Sequence, residues 1–174
     1  MGSGISKYCL RDYELDELYK VIKTLKTGVL EETILQHHIM NSLNPNVVSS
    51  IRMTVYKSKD GAKSLFATLR TSFLKGAVVD NASSGGCFAS VDIRTGTVCR
   101  NAYTECHIIK NFTNETKSLI SKKGMGNHPL TGTKFIGFEI PYFKEATQMV
   151  LDIANKIDFY NRKLLGFDIA ITET

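Results

Sequence analysis

The sequence lacks the features that mark secreted and membrane-spanning proteins. No stretch approaches the run of roughly 18 apolar residues that a membrane span needs, and the N-terminus has no signal-peptide pattern. We therefore expect a cytoplasmic protein without a membrane span.

Cysteine is scarce as well, and its spacing excludes two kinds of site. The four cysteines, Cys9, Cys87, Cys99 and Cys106, include no C-x-x-C pair. A zinc ribbon and a thioredoxin-type redox site are therefore not supported. Without a secretion signal, all four are expected to be reduced thiols.

The net charge is small, which limits the kinds of partner. With 22 Lys and Arg against 17 Asp and Glu it is +5, and the basic residues form no single long run. This balance suits a protein that handles phosphate-bearing small molecules as well as one that binds nucleic acid. Aromatic residues are not interleaved with basic residues along one strand, as stacking platforms for bases need, so no nucleic-acid partner is expected.

Apolar residues three or four positions apart predict two amphipathic helices. The first follows Asp12, an expected N-cap, and its apolar positions are Leu15, Leu18, Ile22 and Leu25. The second has Pro141 in its first turn, and its apolar positions are Phe143, Ala146, Val150, Ile153 and Ile157. Both apolar stripes are interpreted as structural.

Alternating apolar and polar residues predict strands over 51–56, 65–70 and 87–93, with turns at 59–61 and 94–96. A short strand is predicted over 29–34 and a final strand over 166–172. The chain has no internal repeat and no linker, and its 43% hydrophobic composition supports a real core. We predict one α+β unit of mostly antiparallel strands with packed helices.

Two arginines are placed together by this pattern. If the strands 51–56 and 65–70 pair, Arg52 and Arg70 lie on the face of the sheet away from the core. Two guanidinium groups there suit a polyanion such as a triphosphate. The alternative is a pair of solvated surface arginines.

A single carboxylate stands in the final strand, which has apolar residues on both of its predicted faces. An ionised Asp168 among apolar neighbours would cost several kcal/mol unless it met a cation, a metal or strong donors. A metal ligand is the leading interpretation. The alternative is a carboxylate that accepts hydrogen bonds from backbone N–H groups or from a neighbouring arginine.

The adjacent His37 and His38 are expected to point in different directions, so a metal shared between them is not expected. Surface or turn histidines are the preferred interpretation. A polar, lysine-rich segment at 104–126 supports an alternative function, that of a non-catalytic α+β module that binds a partner through this segment.

Seven stretches resemble, in order and spacing, the ATP-grasp family, and in particular its sugar-transfer-associated, α-L-glutamate-ligase-like branch. They lie at 30–32 with 36–37, 49–52, 79–81 with 85–86, 92–96, 128–132, 137–141 and 166–172. Members hold ATP between two α+β subdomains, transfer the γ-phosphoryl group to a carboxylate with the help of magnesium, and let an amine or another nucleophile attack the acyl-phosphate.

This resemblance implies roles for particular residues. Glu31 would lie at the adenine hinge, and the backbone of Glu32, Thr33 and Ile34 would contact the base edge. His37 or His38 would lie near the ribose. Arg52 and Arg70 would face the phosphates, Asp80 and Asn81 would lie near the active site, and Asp168 would be the first magnesium ligand.

The sequence also departs from the family pattern. Only six residues follow Asp168, whereas further metal ligands are expected on a following strand, and the expected phosphate-binding lysine would precede residue 1. The resemblance therefore implies a fold incomplete at both termini, which leaves catalytic activity open. Residues 1–35 would end the small subdomain and form the hinge, and residues 36–174 would form the large subdomain. An exposed sheet edge could pair two copies of such a chain.

Overall fold

The structure, a computed structural model, describes residues 5–24, 28–82, 85–104, 124–158 and 162–173. Its helices are a 3₁₀ turn at Leu10–Asp12, α1 at Leu15–Thr24, α2 at His38–Asn41 and α3 at Phe143–Lys156. Its strands are β1 at Ser50–Ser58, β2 at Gly61–Ser72, β3 at Gly86–Asp92, β4 at Thr97–Val98 and β5 at Leu164–Ala170.

The five strands form one sheet in the order β4-β3-β2-β1-β5, and every neighbouring pair is antiparallel. Tight turns connect β1 to β2 and β3 to β4, with Gly61 and Gly96 at positive φ. β5 arrives from far along the chain and pairs with the free side of β1. This pairing sets Asp168 opposite Arg52.

The core lies on one face of the sheet, beneath α3. Alternate residues of the strands point into it, among them Ile51, Met53 and Val55 of β1, which are fully buried. From α3 the core takes Phe143, Ala146, Val150 and Ala154. In the described part of the chain no helix covers the opposite face, which we call the open face.

Most of the predicted elements are confirmed. The strands at 51–56, 65–70 and 87–93 correspond to β1, β2 and β3, and the two turns and both amphipathic helices are present. The ends of the helices differ from the prediction. Asp12 lies in the 3₁₀ turn instead of capping α1, and Pro141 precedes α3, whose N-cap is Tyr142 at φ 52°.

Two predicted strands need correction. Residues 29–34 form no strand, since all of them are exposed and no described strand lies beside them to pair with. The final strand is buried on one face only: Leu165 and Ile169 point into the core, whereas Gly166 and Asp168 are exposed. The sequence analysis predicted that apolar neighbours enclose Asp168. This prediction is wrong, because Asp168 lies on the exposed face of the strand.

The first described segments contribute nothing to the core. From residue 5 to residue 35 no described side chain is buried, and Leu15 and Tyr19 of α1 are 84% and 58% exposed. Buried residues begin with Gln36, whose side chain donates to the carbonyl groups of Asn44 and Val47. The division into residues 1–35 and 36–174 remains a prediction.

A buried histidine holds the end of β2. His128 is 1% exposed; its Nε2 lies 2.9 Å from the Ser72 carbonyl oxygen, and its Nδ1 accepts from the Leu130 N–H at 3.3 Å. These partners require a neutral ring with its hydrogen on Nε2. Burial lowers the pKa of His128, and the hydrogen bond to the Ser72 carbonyl offsets part of that effect.

This histidine is expected to make the fold sensitive to acid. The pKa of His128 in the folded chain lies below its ordinary value of 6.5. Between these two pKa values the unfolded chain binds a proton on His128, whereas the folded chain keeps the ring neutral. Its contribution to stability is present above pH 6.5 and is lost as the pH falls below that value, by at most about 1.4 kcal/mol per pH unit. Urea unfolding at neutral and mildly acidic pH should show a smaller loss for His128→Gln than for the wild type. Equal losses in the two proteins would contradict this role.

Candidate functional site

Three charged side chains meet on the open face because of the strand register. Arg52 of β1 lies opposite Asp168 of β5, and Arg70 of β2 lies opposite Ser50 of β1. Arg52 donates from Nε to Oδ1 and from Nη2 to Oδ2 of Asp168, the second bond at 2.8 Å. Arg70 Nη1 donates to the same Oδ1 at 3.2 Å. One carboxylate is thus shared by two guanidinium groups.

Arg70 has further partners in the loop that precedes β3. Its Nη2 lies 3.3 Å from Asp80 Oδ1 and 2.7 Å from Asn81 Oδ1. The other oxygen of Asp80 accepts from the Ser50 hydroxyl. The side chains of Arg70 and Asp80 are only 17% and 15% exposed. Arg70 is therefore mostly buried and has three partners, of which Asp80 is itself mostly buried.

Arg52 is held much less firmly. Its side chain is 45% exposed and that of Asp168 is 52% exposed, and Asp168 is its one ion-pair partner among the described residues. An ion pair at this exposure contributes little to stability, on the order of 1 kcal/mol or less. Of the two arginines, Arg70 is the more buried and has more partners, whereas Arg52 is held by Asp168 alone among the described ion pairs.

Gly86 positions the loop that holds Arg70. Its N–H donates to the Asn81 carbonyl at 2.9 Å, and a Cβ added to it would lie 2.1 Å from the Asp80 carbonyl oxygen. Only glycine allows the two backbone segments to approach so closely. The close approach keeps Asp80 and Asn81 within reach of Arg70.

The cluster borders an open depression of about 360 Å³. Its lining residues are Arg52, Thr68, Arg70, Asp80, Asn81, Ala82, Cys87 and Phe88. Burial raises the pKa of the Cys87 thiol to about 12, so this thiol is protonated at neutral pH and is a poor nucleophile. The depression therefore contains no activated cysteine.

The structure brings together five of the predicted site residues: Arg52, Arg70, Asp80, Asn81 and Asp168. It also answers the question left open for Asp168, whose partners in this structure are the two neighbouring arginines. The residues at 31–34 are exposed and, among the described contacts, make no hydrogen bond or ion pair to this cluster. Their roles at the adenine hinge remain predictions.

The two histidines lie elsewhere, and the expectation that they point apart is wrong. The rings of His37 and His38 stack with their centroids 4.3 Å apart. His38 donates from its backbone N–H and binds through Nδ1 to Glu173, at 2.7 and 2.9 Å, and His37 Nε2 lies 3.8 Å from the same carboxylate. The two bonds from His38 lower the pKa of Glu173. The placement of His38 near a ribose remains a prediction.

This group has three metal-ligand side chains close together, but its hydrogen bonds do not suit a metal ion. His37 Nδ1 accepts from the Ile39 N–H, so the ring hydrogen is on Nε2, the nitrogen that a shared ion would have to use. Two stacked rings also cannot both direct an in-plane lone pair at one ion nearby. The histidines instead tie Glu173, which follows β5, to the start of α2.

Asp168 suits a magnesium ion that arrives with phosphate groups. A carboxylate offers about four lone-pair sites, of which the arginines use three. Magnesium in nucleotide sites needs only one or two protein carboxylates, since phosphate oxygens and water complete its shell. A half-exposed carboxylate beside two guanidinium groups meets this requirement.

Two residues of this site, Ser50 and Gly86, lie in stretches that resemble the family, but sequence reasoning assigned them no role. Ser50 contacts Asp80 only because the register of β1 and β2 places Arg70 beside it. The signal for Gly86 was present in the run of turn-forming residues at 79–86, but its close backbone neighbour is visible only in the fold.

On the open face, β2 carries Phe66 and Arg70, and β3 carries Phe88 beside Arg70. The absence of a nucleic-acid partner stays a prediction.

Most of the lysine-rich segment, residues 105–123, lies outside the described residues. The alternative function, in which this segment binds a partner, therefore stays a prediction. None of the helices that the structure describes has the length and apolarity to cross a bilayer.

Fold and site together define an α+β protein whose antiparallel sheet is covered by helices on one face and carries a paired-arginine cluster on the other. Within this class, the chain belongs to the sugar-transfer associated ATP-grasp family, whose model matches residues 9–174. Family membership indicates an ATP-dependent function of the ligase type. No curated protein and no solved structure matches the chain significantly.

Proposed function

We propose that this chain binds ATP with magnesium on the open face of its sheet, as part of a ligase that activates a carboxylate as an acyl-phosphate. An amine or another nucleophile then attacks this acyl-phosphate. Family membership supports this proposal. The observation that carries it is the pair of guanidinium groups, Arg52 and Arg70, gathered on one carboxylate beside an open depression.

In this proposal, each residue of the arginine cluster has its own role in binding ATP and magnesium. Arg70 offers a fixed guanidinium to phosphate oxygens, and Arg52 adjusts its position to the ligand. Asp168 holds the magnesium ion, which supplies further neutralisation of the phosphate charge when it is bound. Asp80 and Asn81 keep Arg70 in place.

The hinge residues Glu31, Glu32, Thr33 and Ile34 contact the base, and His38 lies near the ribose.

This set of groups suits phosphoryl transfer. The reaction depends mostly on positioning and on neutralising charge, which arginines and a carboxylate-held magnesium ion supply. It needs no nucleophilic side chain from the protein, in keeping with the protonated Cys87.

The substrates in this proposal are ATP and a carboxylate-bearing small molecule, used in the cytoplasm in the assembly of cell-surface polysaccharide. Pairing of two copies along the edge of β5 is part of the same proposal.

Calorimetric titration of the chain with ATP and magnesium tests the proposal. Binding is expected with a dissociation constant near or below about 1 mM, which corresponds to roughly −4 kcal/mol. Titration with magnesium alone is the control for heat that does not come from the nucleotide. No binding at several-millimolar ATP with magnesium in excess would remove this function for the chain.

A further inference from the structure

The groups that would bind phosphate are already occupied by a carboxylate of the same chain. Asp168 accepts three hydrogen bonds from Arg52 and Arg70, and it does so on the face that borders the depression. A phosphate oxygen that binds the N–H groups now held by Asp168 has to displace this carboxylate. The ion pair therefore competes with the proposed phosphate site for these N–H groups.

We infer that Asp168 acts as an internal anion that reserves the arginine pair for phosphates accompanied by a divalent cation. This inference rests on the proposed function and adds a selectivity to it. Metal-free polyphosphate, inorganic phosphate and sulfate are rejected, and a metal-complexed triphosphate is accepted. Asp168 is the residue that determines this specificity.

The charges of the cluster support the rejection step. Arg52 and Arg70 carry two positive charges, and Asp80 and Asp168 carry two negative charges, so the four side chains sum to zero. A metal-free polyphosphate meets no net attraction there. Once bound, it would also lie next to the carboxylate that it displaced, and like charges in such contact disfavour binding.

A divalent cation removes both penalties. The displaced carboxylate gains a positive partner, and carboxylate and phosphate oxygens are the ligands that magnesium prefers. The cation adds two positive charges to a cluster whose net charge is otherwise zero. The ion pair is thereby replaced by two new contacts: the arginines bind the phosphates, and Asp168 binds the cation.

Burial decides which of the two carboxylates can make this exchange. Asp80 is 15% exposed and is held by the Ser50 hydroxyl as well as by Arg70. Asp168 is 52% exposed and has no bonding partner other than the arginines among the described side chains. Asp168 can turn toward solvent without leaving a buried group unpaired, whereas Asp80 cannot.

The test is a calorimetric titration with inorganic tripolyphosphate, once with magnesium and once with a chelator. The wild type is expected to bind the magnesium complex and to bind metal-free tripolyphosphate far more weakly. Asp168→Asn is expected to bind metal-free tripolyphosphate about 10-fold more tightly than the wild type does, since a half-exposed charge is only partly screened. Its affinity should also depend little on magnesium.

Asp92→Asn is the matched control. Asp92 also lies on a strand of the open face and binds one arginine through both oxygens, but that arginine, Arg94, does not line the depression, whereas Arg52 and Arg70 do. This variant is expected to behave as the wild type does. Asp168→Ser removes the same charge with a smaller side chain and should repeat the result of Asp168→Asn, so the outcome does not hang on the folding of one variant.

Two outcomes would overturn the inference. One is that neither Asp168 variant gains affinity for metal-free tripolyphosphate, and the other is that Asp92→Asn gains as much. Failure of the proposed function looks different, because the wild type then binds no ATP even with magnesium. The gain of the Asp168 variants over the wild type would still decide whether the carboxylate excludes free anions.

Discussion

Arg70→Gln is expected to weaken the binding of ATP with magnesium by about 10- to 150-fold, the equivalent of roughly 1.5–3 kcal/mol for a lost charge-assisted hydrogen bond. Arg70 is the better-fixed of the two arginines, since Asp80, Asn81 and Asp168 all accept from it. The loss should therefore be larger than for Arg52→Gln, whose side chain must be ordered by the ligand. Calorimetric titration of the wild type and both variants measures the difference.

Arg94→Gln is the control for this experiment. Arg94 forms an ion pair with Asp92 in the turn after β3, but its side chain is 84% exposed and does not line the depression. Its removal should leave nucleotide binding unchanged. Arg70→Gln also deprives the mostly buried Asp80 of its cation, so the double variant Arg70→Gln with Asp80→Asn should regain stability without regaining affinity. Wild-type affinity in Arg70→Gln would contradict a role for this arginine in binding.

Gly86→Ala is expected to destabilise the fold by about 1–3 kcal/mol, the usual cost of forcing an extra carbon into a packed site. The new Cβ would lie 2.1 Å from the Asp80 carbonyl oxygen and 2.6 Å from the Asn81 carbonyl group. Both are backbone atoms, so the loop must move away. Arg70 would lose its contacts with Asp80 and Asn81 as a result. Urea unfolding measures the loss of stability, and titration with ATP and magnesium measures the accompanying loss of affinity.

Gly126→Ala is the matched control, because the nearest atom to its added Cβ is the Asn101 side-chain oxygen at 3.9 Å. The backbone at Gly126 is not in the left-handed region, so alanine fits there without strain. The variant should be as stable as the wild type or slightly more so. If the two glycine variants had equal stability, the close approach at Gly86 would not matter.

Local pattern was enough to predict much of the sheet. The alternation along β1 and β2, together with the turn at Gly61, correctly placed Arg52 and Arg70 on one face. Such inferences succeed because a side-chain period of two and a tight turn depend on neighbouring residues only. The apolar stripe of α3 was predictable for the same kind of reason.

Features that depend on distant partners were not predictable. The sequence gives no register for β5 against β1, so the bonds between Arg52 and Asp168, 116 positions apart, could be named only as an alternative. Residues 29–34 have strand-forming side chains but no neighbouring strand, and strand propensity is decided by that neighbour. The contact between His38 and Glu173 was missed because the two residues lie 135 positions apart.

The wide spacing of the cluster along the chain means that the binding site is absent from the unfolded state. Asp168 lies 116 positions from Arg52 and 98 positions from Arg70, and only the finished sheet brings the three together. Any ligand that bridges them therefore adds its binding free energy to that of folding, about 2.7 kcal/mol at a concentration 100 times the dissociation constant. The melting temperature thus becomes a direct gauge of occupancy, and candidate carboxylates can be ranked by it before any turnover assay exists.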